Sequence, residues 1–273
     1  MKTSHIAILL TTYNGEKYLS QLLDSIVNQS CKNWDLYIRD DQSTDNTYFL
    51  IEQYTSLYSN IHFVVDGEKR GAANGFIWLL SHVQSECYMF CDQDDIWLPS
   101  KIERTYGRYV EVSKKKANIP IVIHTDLIVV DTNLKVIASS FWEYTRLGKI
   151  VDDQSYIKYC NSVTGCTMLF NNCAKQYGIK ASSNVVMHDS WIAIVTNANH
   201  GTIIPLHEKL VLYRQHTSNT LGAKKYRMTL RHILSNLRRI QNTNVAWFKM
   251  VNSISKMTVM DYICHKIILL FIK

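Results

Sequence analysis

Short apolar runs alternate with helical stripes along the first hundred residues. Ile6–Leu10 is a continuous apolar run that stops at the polar turn Thr11–Gly15, which predicts a buried strand. Leu19, Leu22, Leu23, Ile26 and Val27 then recur at helical spacing within Glu16–Asn28. Trp34–Ile38 predicts a second strand, closing at Arg39-Asp40-Asp41. Ser43 or Thr44 and Asp45 carry side chains suited to capping and open a helix that runs to about Tyr58. Ile61–Val65 predicts a third strand, Ala72–Val83 a helix and Cys87–Cys91 a fourth strand.

Strand–helix alternation with short links predicts an α/β fold on a doubly wound, mostly parallel sheet. Beyond Pro99 the pattern loosens. Ile121–Asp126 and Leu127–Val130 read as strands, with a turn at Asp131–Asn133. Val163–Phe170 reads as a further strand and Asp189–Asn197 as a helix. Residues 224–273 read as helical and separate in character. Leu230, Ile233, Leu234, Leu237 and Ile240 form a stripe among Arg227, Arg231, Arg238 and Arg239, and Trp247, Phe248 and Ile267–Ile272 add apolar mass.

Ligands of such sheets bind at the carboxyl ends of the strands. Three polar clusters fall there: Thr11–Asn14, Asp40–Asp45 and Asp92–Asp95. The third is the most telling. Asp92-Gln93-Asp94-Asp95 sets three carboxylates in four residues behind the apolar Tyr88-Met89-Phe90. Carboxylates crowded at a strand end repel one another and are costly to desolvate, and a hard divalent cation removes that cost. The segment is either a metal–diphosphate site or an acidic turn. Thr11, Thr12 and Tyr13 can stack on a base and bond its edge, or form an ordinary turn. One of Asp40 and Asp41 can accept a pyrimidine N–H while the other caps or holds the loop.

Composition narrows these options. The chain has 273 residues, 47% of them hydrophobic, with ten Gly and three Pro, so a large core and few long linkers follow. Seven Cys form no CxxC pair and do not cluster with His, which fits reduced buried thiols rather than zinc. There is no GxGxxG and no P-loop. No secretory signal pattern and no apolar stretch of spanning length appears, which gives the expectation of a cytoplasmic protein. Of the net charge of +7, residues 224–273 carry +9, from ten Lys/Arg against the single acid Asp261. The body is therefore near neutral and the tail strongly basic. Such a tail suits an anionic lipid surface, or a helix packed on the core with a solvated basic face. No recognised nucleic-acid module accompanies the charge.

In combination, Thr-Thr-Tyr-Asn-Gly after strand one, Asp-Asp-Gln-Ser-Thr-Asp-Asn-Thr after strand two and Asp-Gln-Asp-Asp-Ile-Trp after strand four resemble the inverting nucleotide-sugar glycosyltransferases of family 2, which have the GT-A fold. The form Asp-Gln-Asp-Asp-Ile-Trp-Leu-Pro-x-Lys is similar to a rhamnosyltransferase-like bacterial branch that builds capsule and O-antigen. His188-Asp189-Ser190-Trp191 and Tyr213–Asn219 agree with it. The resemblance covers about residues 4–220. It implies a glycosyltransferase domain over 1–223, with a nucleotide-binding half to about residue 100 and an acceptor half beyond, followed by the basic helical extension 224–273.

By resemblance, Thr11, Tyr13 and Asp41 hold the nucleoside, and Asn14, Lys69 and Asn74 lie near the donor. Asp92 and Asp94 form the Asp-x-Asp pair at the ribose and a Mn²⁺ or Mg²⁺ ion, Asp189 is the catalytic base and His216 lies near the diphosphate. Asp95 has no implied role. The implied substrates are a dTDP- or UDP-sugar and a glycan acceptor, lipid-linked at the inner membrane face, with 224–273 touching anionic lipid. The chemistry accounts for these residue types in its own right. A diphosphate leaving group needs its charge neutralised, and inversion needs one carboxylate base opposite it. A helix N-cap is the other role open to Asp189. The alternative for the whole protein is a non-catalytic sugar-nucleotide or glycan-binding subunit.

Overall fold

The computed structural model describes residues 5–181, 184–216 and 230–272, without the side chains of 230–237. Thr217-Ser218-Asn219, the expected boundary at 223/224, Arg227, and the side chains of Leu230–Leu237 lie outside these residues.

In chain order the elements are β1 (Ile6–Thr12), α1 (Leu19–Val27), β2 (Trp34–Asp40), α2 (Thr47–Leu57), β3 (Ile61–Phe63), α3 (Gly71–His82), β4 (Cys87–Cys91) and β5 (Ile96–Trp97). They continue with α4 (Lys101–Lys115), β6 (Ile121–Val130), β7 (Val136–Ala138), α5 (Phe141–Tyr144), β8 (Leu169–Asn171), α6 (Asn172–Gly178), α7 (His188–Ala198), β9 (Thr202–Arg214), α8 (Leu230–Asn252) and α9 (Val259–Ile272). One mixed sheet runs in the order β3-β2-β1-β4-β8-β6-β9-β5, and β7 pairs with β6. It is a GT-A type α/β sheet. Its first four strands are all parallel, as the alternation predicts. Its second half is mixed, because β8 runs antiparallel between β4 and β6.

The central strands are apolar on both sides, so the sheet carries a core on each face. Ile8, Leu10, Leu36 and Met89 pack with α1 on one face. Ala7, Leu9, Tyr88 and Phe90 pack with α3 and α7 on the other. Met250 and Val251 of α8 are fully buried in this second core, and Trp247 donates its indole N–H to Lys158 O at 2.7 Å. The second half of α8 is thus built into the body.

Several details depart from the sequence pattern for local reasons. The two strands expected over 121–130 are one strand. Its register with β9 slips around Asp126, whose carboxylate accepts from the N–H groups of Leu127, Phe141 and Trp142 and from Ser140 Oγ. Of the expected strand Val163–Phe170, Gly165–Thr167 is a 3-10 turn and β8 starts at Leu169. The third strand ends at Phe63, and Val65 is 75% exposed.

Candidate active site

The parallel strands β1, β2 and β4 carry the three polar clusters to one sheet edge, where a cleft of about 850 Å³ opens. This volume suits a ligand of nucleotide-sugar size. Thr11, Tyr13, Asn14, Asp41, Lys69, Asp92, Asp94, Asp189 and His216 all line it. Asn74 does not. It stands on the exposed side of α3, its amide reaching back to Arg70 O at 3.4 Å, while Gly71, Ala72 and Phe76 face the cleft.

At one end Asp41 is held by the chain around it. Its Oδ1 accepts from the Arg70 N–H (2.7 Å) and Arg39 Nη2 (2.8 Å), and its Oδ2 from the Gly71 N–H (3.0 Å). Burial raises its pKa, but these donors outweigh burial and hold the carboxyl below the usual range. Arg39 is fully buried and also bonds Asp66 and Glu68 O. Asp40 does the loop work, accepting from Thr12 Oγ1 (2.8 Å) and the Ser43 N–H (2.7 Å). Lys69 Nζ lies 4.0 Å above the half-exposed ring of Tyr13. Asn14, at φ +47°, accepts the Thr44 N–H with its side chain, tying the first loop to the second.

Gln93 ties the first loop to the third. Its amide accepts the Tyr13 N–H at 2.8 Å and donates to Tyr13 O at 3.0 Å. Gly15 permits this approach, since a Cβ there would stand 2.6 Å from Gln93 Oε1. Nothing in the sequence alone set Gln93 apart from the acids around it.

The acidic cluster divides by role. Asp94 Oδ2 meets His216 Nε2 at 2.6 Å. Asp92 is half-buried, and burial together with Asp94 and Asp189 pushes its carboxyl well up. Asp95 is fully buried and accepts the Arg214 N–H at 3.2 Å. Ligand atoms of Asp92, Asp95 and Cys166 come within 4.8 Å of one another, the tight grouping among the described residues, whereas Asp94 turns to His216. Burial keeps the Cys166 thiol protonated, with the charges of Asp95 and Asp92 adding to the effect. Lys101, buried with Nζ 3.5 Å above the Trp97 ring, is pushed down to about 8 by burial. Three carboxylates crowded at one strand end, with an imidazole beside them, suit Mn²⁺ or Mg²⁺.

Arg214 organises this end. Its guanidinium donates to Asp94 O (2.9 Å), Thr132 O (3.0 Å) and Gln21 Oε1 (2.6 Å), and lies 4.5 Å over the Tyr18 ring. Strand β5 pairs with β9 through Ile96–Leu212 and Trp97–Val211, which brings the segment after β9 beside Asp94.

Helix α7, which also lines the cleft, starts at His188, so Asp189 sits in its first turn and not at the cap, which is Met187. Asp189 Oδ2 accepts the Gly165 N–H at 3.2 Å, and Oδ1 accepts the Ser190 hydroxyl at 3.0 Å. Burial raises its carboxyl against these bonds. His188 stacks on Phe76 at 4.0 Å and meets Phe90 edge-on at 4.6 Å. Burial pushes its imidazole down to about 3, so it stays neutral.

A sequence model of glycosyl transferase family 2 matches residues 7–177, well over half of the chain and all three strand-end loops. The Escherichia coli protein named UDP-Glc:alpha-D-GlcNAc-diphosphoundecaprenol beta-1,3-glucosyltransferase WfgD is 32% identical over 98 residues, 36% of this chain and 38% of that protein. The chain therefore covers about two-fifths of that relative's length. The dTDP-rhamnosyl transferase RfbG of Shigella flexneri is 27% identical over 234 residues, 78% of this chain and 74% of its own. In fold, the mannosyltransferase PcManGT of Pyrobaculum calidifontis, solved with GDP-Man and Mn2+, matches 97% of this chain and 69% of its own at TM-score 0.68 and 15% identity. Parallel sheet edge, joined loops and matched sequence agree: the chain belongs to glycosyl transferase family 2.

Proposed function

We propose that this protein is an inverting glycosyltransferase that moves a rhamnose or hexose from a dTDP- or UDP-sugar to a bacterial surface-glycan acceptor, lipid-linked, at the inner face of the cell membrane. The observation that carries the reading is the shared cleft, which Asp189, Asp92 and Asp94 all line. On this reading residues 1–223 form the transferase unit and 224–273 an extension that touches anionic lipid. The names of WfgD and RfbG, with their UDP- and dTDP-linked sugars and a diphosphoundecaprenol acceptor, support the substrate classes.

Tyr13 and Thr11 bind the pyrimidine nucleoside beside Asp41. Asp92, Asp94 and His216 would hold a Mn²⁺ or Mg²⁺ ion, which when bound supplies positive charge at the diphosphate. Asp189, raised by burial, takes the proton of the acceptor hydroxyl as that oxygen approaches the anomeric carbon. Its bonds to the Gly165 N–H and Ser190 fix the carboxylate's direction. His188, neutral and apolar-packed, keeps that wall dry. A non-catalytic subunit would have no use for a directed, buried Asp189. Incubation with a panel of dTDP- and UDP-sugars, Mn²⁺ and a diphosphate-lipid-linked glycan tests the proposal: one donor gives an elongated glycan with inverted anomeric configuration. Donor binding without turnover on any acceptor would favour the subunit reading.

A further inference from the structure

Helix α9 is apolar on two opposite faces, and only one of them is used by the body. The inner face carries Asp261, Tyr262, His265 and Leu269. Tyr159 donates its hydroxyl to Asp261 Oδ2 at 2.9 Å and lies flat on the His265 ring at 4.0 Å. Tyr262 and Leu269 are 6% and 4% exposed, in a cluster with Trp142, Leu147 and Ile150. The outer face carries Met260, Ile263, Ile267, Ile268, Leu270 and Phe271, between 43% and 83% exposed. At about 100° per residue these six fall on one arc opposite Tyr262 and Leu269, with no charged side chain inside the arc. Single exposed apolar side chains need no explanation, but a continuous row marks an interaction surface.

Charge selects what covers it. Residues 230–272 hold six Lys/Arg and one acid, and that acid, Asp261, is engaged by Tyr159 and His265 on the inner side. Lys249 and Lys256 are exposed, and Lys266 runs along the Tyr262 ring at 5.2 Å from Nζ to centroid. A second copy docking through the same face would bring two segments of like net charge together. An anionic lipid surface complements both that net charge and the apolar row. Packing sets the orientation: with Tyr262 and Leu269 held against Trp142, Leu147 and Ile150, the helix lies along the body and turns its outer row away from it. Among the described residues no helix is long and apolar enough to cross a membrane.

We propose that the outer face of α9 lies in the plane of an anionic bilayer surface, with Met260, Ile263, Ile267 and Phe271 entering the interface and the flanking lysines meeting headgroups. This deepens the membrane contact of the proposed function and rests on that reading only for its biological setting. The test uses the full chain and vesicles of phosphatidylglycerol with phosphatidylcholine, or of phosphatidylcholine alone, at low and high salt. The wild type sediments with the anionic vesicles and loses much of that binding in high salt. Ile267→Glu combined with Phe271→Ser binds about tenfold more weakly or less, while Val136→Ser, at an exposed apolar site on β7, binds as wild type. The altered side chains face outward, so melting by circular dichroism stays unchanged and donor turnover in free solution is retained. Equal vesicle binding by wild type and double variant overturns the proposal. So does equal binding to neutral vesicles, or a dimer in light scattering that the double variant abolishes while the wild type ignores vesicles. Vesicle binding without turnover on any donor would sink the transferase reading and leave the docking face standing.

Discussion

Asp94 Oδ2 and His216 Nε2 stand 2.6 Å apart across 122 residues of sequence. Strand β5 against β9 and the Arg214 bonds to Asp94 O and Thr132 O make that meeting. His216→Ala is therefore expected to weaken binding of Mn²⁺ with a nucleoside diphosphate by about 10- to 100-fold, as for loss of a group that orients a metal ligand. Calorimetry on His216→Ala, Asp94→Ala and the double variant checks this. The double variant falls short of the sum of the two single losses, because the pair acts as a unit.

Asp189→Asn keeps the shape and the bond from Gly165 but removes the base. Donor affinity stays within twofold or so while transfer falls on the order of 10²–10⁴-fold. Initial rates beside nucleotide binding on one preparation separate the two. Retained turnover would remove Asp189 from the chemistry.

Arg39 is fully buried between Asp41 and Asp66. Hydrogen bonding by Arg70 first, and by Arg39, holds Asp66 below the ordinary carboxylate range despite its burial. Arg39→Met leaves Asp66 with Arg70 alone and Asp41 with its backbone donors, at a cost of about 3 kcal/mol in urea unfolding, the low end for a broken buried pair. Because the folded pKa values of Asp41 and Asp66 are depressed, their contribution is present above about pH 4 and drains away as pH falls through the folded values.

His124 and His188 act in the same direction, but at milder acidity. Burial pushes each down to about 3, from an ordinary value near 6.5. Between those pH values the unfolded chain binds the protons and the folded chain does not, so stability rises with pH at about 1.4 kcal/mol per pH unit for each histidine. The carboxyls of Asp92, Asp95 and Asp189, raised by burial, slope stability the other way over the same range, so the test is a difference. In chemical denaturation from pH 4 to 7, His124→Phe should change the wild-type slope by one histidine's share. An unchanged slope in that variant would mean that His124 is protonated in the fold.

The first hundred residues were legible because their signals are local. Continuous apolar runs marked β1, β2 and β4, and the acids behind them had to lie at one edge once those strands were parallel. The second half was less so. Strand β9 mixes Pro205, His207, Glu208 and Lys209 into its run, and eight of its 13 positions are not buried, so no clean period appears. Helix α4 was missed because Lys101 and Thr105 occupy buried positions on its inner face. The site showed the same divide. Side chains conspicuous by type and place, such as Asp41, Asp94 and Asp189, stood out, whereas Gln93 and Arg214 bond partners about 80 and 120 residues away. Asn74 was placed by analogy in a segment whose helix turns it outward.

The two bonds between Gln93 and the backbone of Tyr13 also bear on speed. They fasten the loop that would meet the base to the loop that would meet the diphosphate, and Asn14 fastens both to the second loop. A ligand spanning them encounters a groove already formed, so little loop ordering accompanies its arrival. Association then depends on diffusion and on the field of the cleft, and discrimination between nucleotides falls to how fast each one leaves.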